Sequence, residues 1–161
     1  MALRKPLVIV GGQVQQLQSA DTLDAVQSGG DAVVQTNDEV GAIVIGTPVY
    51  NDAANGVKKG KADAASTVKL IGLVRDVSIA AAGTGAIQVS GVLTATTGQW
   101  DAVMGTVGGL IFGTRYYLSA ATAGLGSATA PSTVGQYVVE LGIAMSTVDL
   151  LLSNDFNPIL L

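Results

Sequence analysis

From residue 40 onward the chain alternates apolar and polar positions with a period near two. Ala86-Ile-Gln-Val-Ser-Gly-Val-Leu93 is the clearest case, and such alternation marks a strand with one buried face. Gly41-Ala-Ile-Val-Ile45 and Pro48-Val-Tyr50 are rich in β-branched and aromatic residues. Asn55-Gly56 then signals a two-residue hairpin, with Val57-Lys-Lys-Gly-Lys-Ala62 as the returning strand. Val68 to Val77 predicts a central strand with a bulge or close backbone contact at Gly72. Gly113-Thr-Arg-Tyr-Tyr-Leu-Ser119, Gln136 to Ser146 and Val148 to Leu152 continue the pattern. The fold class predicted is all-β, a compact β-barrel or sandwich.

The same parts recur in the same order. Gly46-Thr-Pro-Val-Tyr50 stands where Gly113-Thr-Arg-Tyr-Tyr117 stands later. Ser66-Thr-Val68 matches Ser132-Thr-Val134, and Leu70-Ile-Gly-Leu-Val74 matches Val139-Glu-Leu-Gly-Ile143. One β unit used twice accounts for this spacing. The organisation expected is an extended N-terminal arm over residues 1–40 and a β domain over 41–152, with halves at about 41–94 and 107–152. An apolar C-terminal tail over 153–161 completes it. The arm holds Leu7-Val-Ile-Val10, ended by Gly11-Gly12, and the polar Gln13-Val-Gln-Gln-Leu-Gln18. Too apolar for a solvated tail, it either docks on a neighbour or adds a first strand to its own sheet. Asn37-Asp-Glu39 reads as a solvated turn. The stretch Ala120 to Thr133 is uncharged and of low complexity, suited to lying flat against another protein.

Composition adds a reason for assembly. Only 12% of residues are charged while 48% are hydrophobic, against about 25% charged in ordinary globular domains. Burial of weakly polar surface between subunits accounts for such a surface, and a monomer coated with Thr, Ser, Gln and Gly is the alternative. With net charge −4 and eight Lys and Arg, a footprint for nucleic acid is not expected. Lys58, Lys59 and Lys61 read as guards of an edge strand rather than as a basic patch. There is no uninterrupted apolar run of spanning length, so no membrane partner is expected.

The chain contains no cysteine and no histidine. Disulfides, thiolate metal sites and nucleophiles activated by histidine are thereby excluded. No phosphate-binding loop or dinucleotide fingerprint occurs among the glycines. Asp76, Asp101, Glu140 and Asp149 are the candidates for paired-carboxylate chemistry, and nothing in their spacing favours it. Trp100 reads as a lid on the core, with a ligand-stacking platform as the alternative. The expectation is a protein that is not an enzyme and binds no cofactor or metal.

The segments Ala2-Leu-Arg-Lys-Pro-Leu-Val-Ile-Val10, Gly12-Gln-Val-Gln-Gln-Leu17 and Asp21-Thr-Leu23 carry a further indication. With the body motifs Gly46-Thr-Pro-Val-Tyr50, Gly113-Thr-Arg-Tyr-Tyr-Leu-Ser119 and Gly142-Ile-Ala-Met-Ser146, the chain resembles the small decoration, or cement, proteins of tailed bacteriophage heads. Similar leaders also head phage fibre and tail-adaptor proteins. The resemblance implies a homo-oligomer, a trimer in the first place, on the outer capsid surface after synthesis in the host cytoplasm. It also implies that the arm grips the major capsid protein, another virion protein or a neighbouring copy. Assembly contacts are expected from Leu7, Val8, Ile9, Val10, Gln13, Gln15, Gln16 and Leu17 of the arm, and from Phe156, Ile159, Leu160 and Leu161 of the tail. A fibre or baseplate adaptor and a glycan-binding β-sandwich are the alternative functions.

Overall fold

The structure is a computed structural model and describes residues 7–10, 13–16, 32–53 and 56–161. Its elements in chain order begin with β1 (Leu7–Val10), β2 (Gln13–Gln16), β3 (Ala32–Asn37), β4 (Ile43–Val44), β5 (Pro48–Ala53) and β6 (Gly56–Lys59). Then come β7 (Leu70–Val74), β8 (Ser78–Ile79), β9 (Thr84–Gln88), β10 (Val92–Thr94) and the helix α1 (Thr97–Met104). The chain finishes with β11 (Arg115–Leu118), β12 (Gly126–Ser127), β13 (Tyr137–Val138), β14 (Glu140–Ala144), β15 (Asp149–Leu152) and β16 (Ile159–Leu160). The fold is all-β, as the alternation predicts, and carries one short helix besides.

Five strands close into a barrel in the order β3-β6-β5-β7-β9, and five more form a sheet in the order β10-β15-β14-β11-β12. These are one topology used twice. Taking each set in chain order, the first strand pairs with the fifth, the fifth with the fourth, the fourth with the second and the second with the third. The barrel has one extra joint, a parallel pairing of β3 with β6 through Thr36↔Gly56 and Asn37↔Val57. In the second unit α1 sits where that joint would be. A Cβ on Gly126 of β12 would press on the Met104 sulfur and on Leu141, whose Cδ1 would be 2.9 Å away.

The duplication extends to single hydrogen bonds. Gly46 N–H donates to Val74 O at 2.8 Å, and Gly113 N–H to Ala144 O at 2.8 Å. Thr47 N–H donates to Val44 O at 3.1 Å and Thr114 N–H to Ile111 O at 3.0 Å. Val74 and Ala144 in turn donate to Thr47 O and Thr114 O, both at 2.9 Å. Both turns need a left-handed glycine, with φ +82° at Gly46 and +75° at Gly113. Both units also carry a bulge at the same place. The register slips from Val49↔Gly72 to Tyr50↔Leu70 in one and from Tyr116↔Gly142 to Tyr117↔Glu140 in the other. At each bulge a glycine lets a neighbouring strand close in: a Cβ on Gly72 would strike Gln88 O, and one on Gly142 would strike Leu151 O.

The unit boundaries differ from those read in the sequence. Ala32–Asn37, assigned there to the arm, is β3 and pairs along its length with β9, from Ala32↔Gln88 to Thr36↔Thr84. The stretch Ala86 to Leu93 is not one strand, because Gly91 turns at φ +79°. It ends β9 of the first unit and begins β10, which pairs with β15 of the second. The first unit therefore spans residues 32–88 and the second 92–152. Gly56 is likewise already within β6, opposite Ala53, and Asn55 of the expected hairpin turn lies outside the described residues.

Two apolar clusters hold the units. Ile43, Val49, Val57, Val74, Ile79 and Ile87 fill the barrel. A larger cluster lies across both units, joining Ile45, Leu70 and Leu73 to Leu93, Trp100, Leu110, Tyr116, Leu141 and Leu150. β7 serves both, sending Leu73 to one cluster and Val74 to the other, as a central strand buried on two faces must. The helix was not anticipated, although its signal is present in Thr96-Thr-Gly-Gln99. Gln99 N–H donates to Thr96 Oγ1 at 3.3 Å, and Thr96 N–H donates to Gln99 Oε1 at 2.8 Å, forming a capping box. Gly105, at φ +65°, ends the helix.

Candidate functional site

The polar groups that sequence alone offers for chemistry are each occupied structurally. Asp101 accepts Gly109 N–H and Thr106 Oγ1–H at 2.8 Å and Gly108 N–H at 3.0 Å. The Gly109 amide, with Thr106, holds its carboxyl below the usual carboxylate value. Asp149 accepts Thr94 Oγ1–H at 2.6 Å and Ser146 Oγ–H at 2.8 Å, and its pKa is lowered chiefly by Thr94. Asp76 accepts Ala86 N–H at 3.0 Å, and Glu140 binds Arg115 through both carboxylate oxygens at 2.6 and 2.7 Å. Each acid thus clamps a turn or strand end. Among the described residues no group of three or more Asp, Glu, His or Cys is placed to hold a metal ion.

Trp100 is fully buried, and its Nε1–H donates to Val148 O at 2.8 Å. Its indole lies over Gly46, where an added Cβ would be 2.8 Å from Cζ3. It is the lid between units and has no free face on which a sugar could stack. Asn37 corrects the expectation of a solvated turn, since it too is fully buried. Its Nδ2 donates to Gly41 O and Ile79 O at 2.9 Å and to Ala80 O at 3.1 Å, while its Oδ1 accepts Glu39 N–H at 2.9 Å. Lys58 and Lys61 pair with Asp52 and Asp63 at 2.6 Å, and β6 is not a bare edge where β3 joins it. The uncharged stretch after Ser119 is seated at its centre on its own first unit. Gly124 N–H donates to Gly60 O at 2.8 Å, and the Lys59 stem lies where a Gly124 side chain would be. Beside it is a shallow depression of about 290 Å³, lined by Ser119, Ser127, Thr129, Pro131 and Gln136 among others, with no charged or aromatic group.

The expected assembly residues fall in two places. Leu7, Val8, Ile9 and Val10 form β1, which pairs antiparallel with the strand carrying Gln13, Gln15 and Gln16, in the register Leu7↔Gln16 to Val10↔Gln13. Leu17 lies outside the described residues. At the other terminus the tail folds onto its own subunit. Phe156 packs against the larger core, and Tyr137↔Leu160 and Val138↔Ile159 pair as a two-stranded ribbon. Leu161 N–H donates to Gln136 O and Gly135 N–H to Leu161 O. The backbone is thus fixed, yet the side chains of Ile159, Leu160 and Leu161 remain exposed.

A third apolar surface was not singled out in the sequence. Ile111 and Phe112 are 61% and 75% exposed, and Met145, next to the Ala144 that receives the Gly113 hydrogen bond, is 50% exposed. The turn is held firmly: Ile111 N–H donates to Tyr116 Oη at 3.0 Å, in addition to the bonds of Gly113 and Thr114. The sequence signal was the run Leu110-Ile-Phe112 before Gly113, which also fits a buried position. Comparison of the sequence with models of protein families and with curated proteins finds no match.

Proposed function

We propose that the chain is a structural protein of a bacteriophage particle that acts without catalysis, a decoration protein that stabilises the head lattice through oligomeric contacts. The observation that carries this reading is large apolar side chains held outward on hydrogen-bonded backbone, Phe112 above all. Water disfavours such a surface, and a partner that covers it gains hydrophobic free energy at little ordering cost. The low charge of the chain and its likeness to decoration proteins support the same reading. Many weak contacts repeated over a lattice then add to a strong hold. The oligomer is a trimer in this reading, and the arm grips the major capsid protein.

The test uses purified heads lacking the protein. The full chain is expected to co-sediment with heads at saturating stoichiometry, and a variant lacking residues 1–18 is expected to keep its fold and lose binding. Binding to tails and not to heads would replace this reading with that of a fibre or baseplate adaptor. Undiminished head binding by the truncated chain would remove the arm from the mechanism.

A further inference from the structure

The two units hold the same turn by different means. In the first, the residues before Gly46 are paired as a ribbon, β4 with β8 through Ile43↔Ile79 and Val44↔Ser78, and Ile45 N–H donates to Val77 O at 3.2 Å. Trp100 then lies over Gly46 itself. In the second, no strand occurs between α1 and β11 among the described residues, and a Cβ on Gly113 would find no described atom within 4 Å. This bare turn is nevertheless fastened amide by amide. Gly108 and Gly109 N–H donate to the Asp101 carboxylate, Leu110 N–H to Thr147 O at 2.9 Å and Ile111 N–H to Tyr116 Oη at 3.0 Å. Gly113 N–H and Thr114 N–H follow, donating to Ala144 O at 2.8 Å and to Ile111 O at 3.0 Å.

One of these bonds comes from a side chain that the first unit lacks. Counting from Gly46-Thr47 and Gly113-Thr114, whose hydrogen bonds correspond, Tyr116 stands where Val49 stands, and each faces the bulge glycine of its unit, Gly142 or Gly72. Both side chains are fully buried. A hydroxyl in such a place costs free energy unless it is bonded, and the valine at the equivalent position shows that packing there needs none. The Tyr116 hydroxyl accepts from Ile111, the residue before the exposed Phe112. It holds at the bare turn what the ribbon holds at the covered one. A partner that meets an already ordered Phe112 is spared the cost of ordering it.

We propose that Tyr116 is a positioning residue for assembly: its hydroxyl fixes the Ile111-Phe112-Gly113 turn in the conformation in which Phe112 is covered on the particle. This role deepens the reading that the chain binds heads through outward apolar side chains, and rests on it. The two fail in different ways. A wild-type chain that does not bind heads overturns both, whereas the comparison of variants on heads that do bind the wild type decides the role of Tyr116 alone.

The test is a double-mutant cycle of Tyr116→Phe and Phe112→Ala, read as the concentration of protein that half-saturates purified heads lacking it. Phe112→Ala is expected to raise that concentration at least about tenfold, and Tyr116→Phe about threefold or more. Because Tyr116 acts through Phe112, adding Tyr116→Phe to Phe112→Ala is expected to weaken binding no further. A merely structural role would weaken both backgrounds alike. Since Tyr116→Phe removes a buried atom, amide hydrogen exchange is measured beside it. Faster exchange is expected at residues 110–113, with β14 and β15 still protected. Equal losses in the two backgrounds, wild-type binding by Tyr116→Phe, or unchanged exchange at Ile111 would each overturn the proposal. Undiminished binding by Phe112→Ala would overturn it as well.

Discussion

A buried asparagine illustrates how single residues fix this fold. Asn37 donates to three carbonyl oxygens where β3, the bend before β4 and the loop after β8 meet, and of these Ala80 O also accepts Gly83 N–H. Unmet acceptors in that position cost more than the net value of the bonds themselves. Asn37→Leu, which keeps the approximate volume and removes both polar atoms, is expected to lower unfolding stability by about 3 kcal/mol. Urea denaturation followed by Trp100 fluorescence measures it, and a loss within error of zero would mean that water serves those carbonyls equally well. The role was not legible locally. Asn-Asp-Glu reads as a polar turn, and the groups that bury Asn37 come from Ile79 and Ala80, about forty residues away.

At the scale of elements, the repeat was legible because its turn requires particular residues. Gly46 and Gly113 adopt φ values open to few other residues, and Gly72 and Gly142 admit a neighbouring carbonyl where any side chain would collide. Such demands leave spaced glycines in the sequence even where the apolar residues between them have diverged. The bulge glycines give a paired prediction. Gly72→Ala and Gly142→Ala are each expected to cost about 1–3 kcal/mol, by forcing β9 or β15 away from its partner. Differential hydrogen exchange should show the loss of protection confined to β7 and β9 in the first variant and to β14 and β15 in the second. Uniform loss over both units in either variant would contradict their separate packing. Unit boundaries were less legible, since pairing decides them and not pattern. Val33-Val34 resembles an arm residue pair until β9 is beside it, and alternation continues through Gly91 although the chain changes sheets there.

For the whole molecule, the sequence was informative about surface and core in unequal measure. Composition required that much apolar area be either buried or covered, and the tail was expected among the contact residues. The structure pairs that tail with β13 while leaving Ile159, Leu160 and Leu161 outward. Phe112 escaped notice because its pattern is that of Ile45: the same apolar position before the same glycine is buried in one unit and bare in the other. The difference lies in what stands beside the glycine: Trp100 lies over Gly46, and among the described residues nothing is within 4 Å of where a Cβ on Gly113 would be. Coverage of that apolar turn by further copies of the chain is the consequence of the proposed function at this scale.

The mass of the intact chain in solution tests that consequence most directly. Native mass spectrometry over a dilution series is expected to give a single discrete multiple of 16.1 kDa that dissociates on dilution. A lone 16.1 kDa species persisting to about 100 µM would contradict the claim that copies of the chain cover its exposed apolar surface.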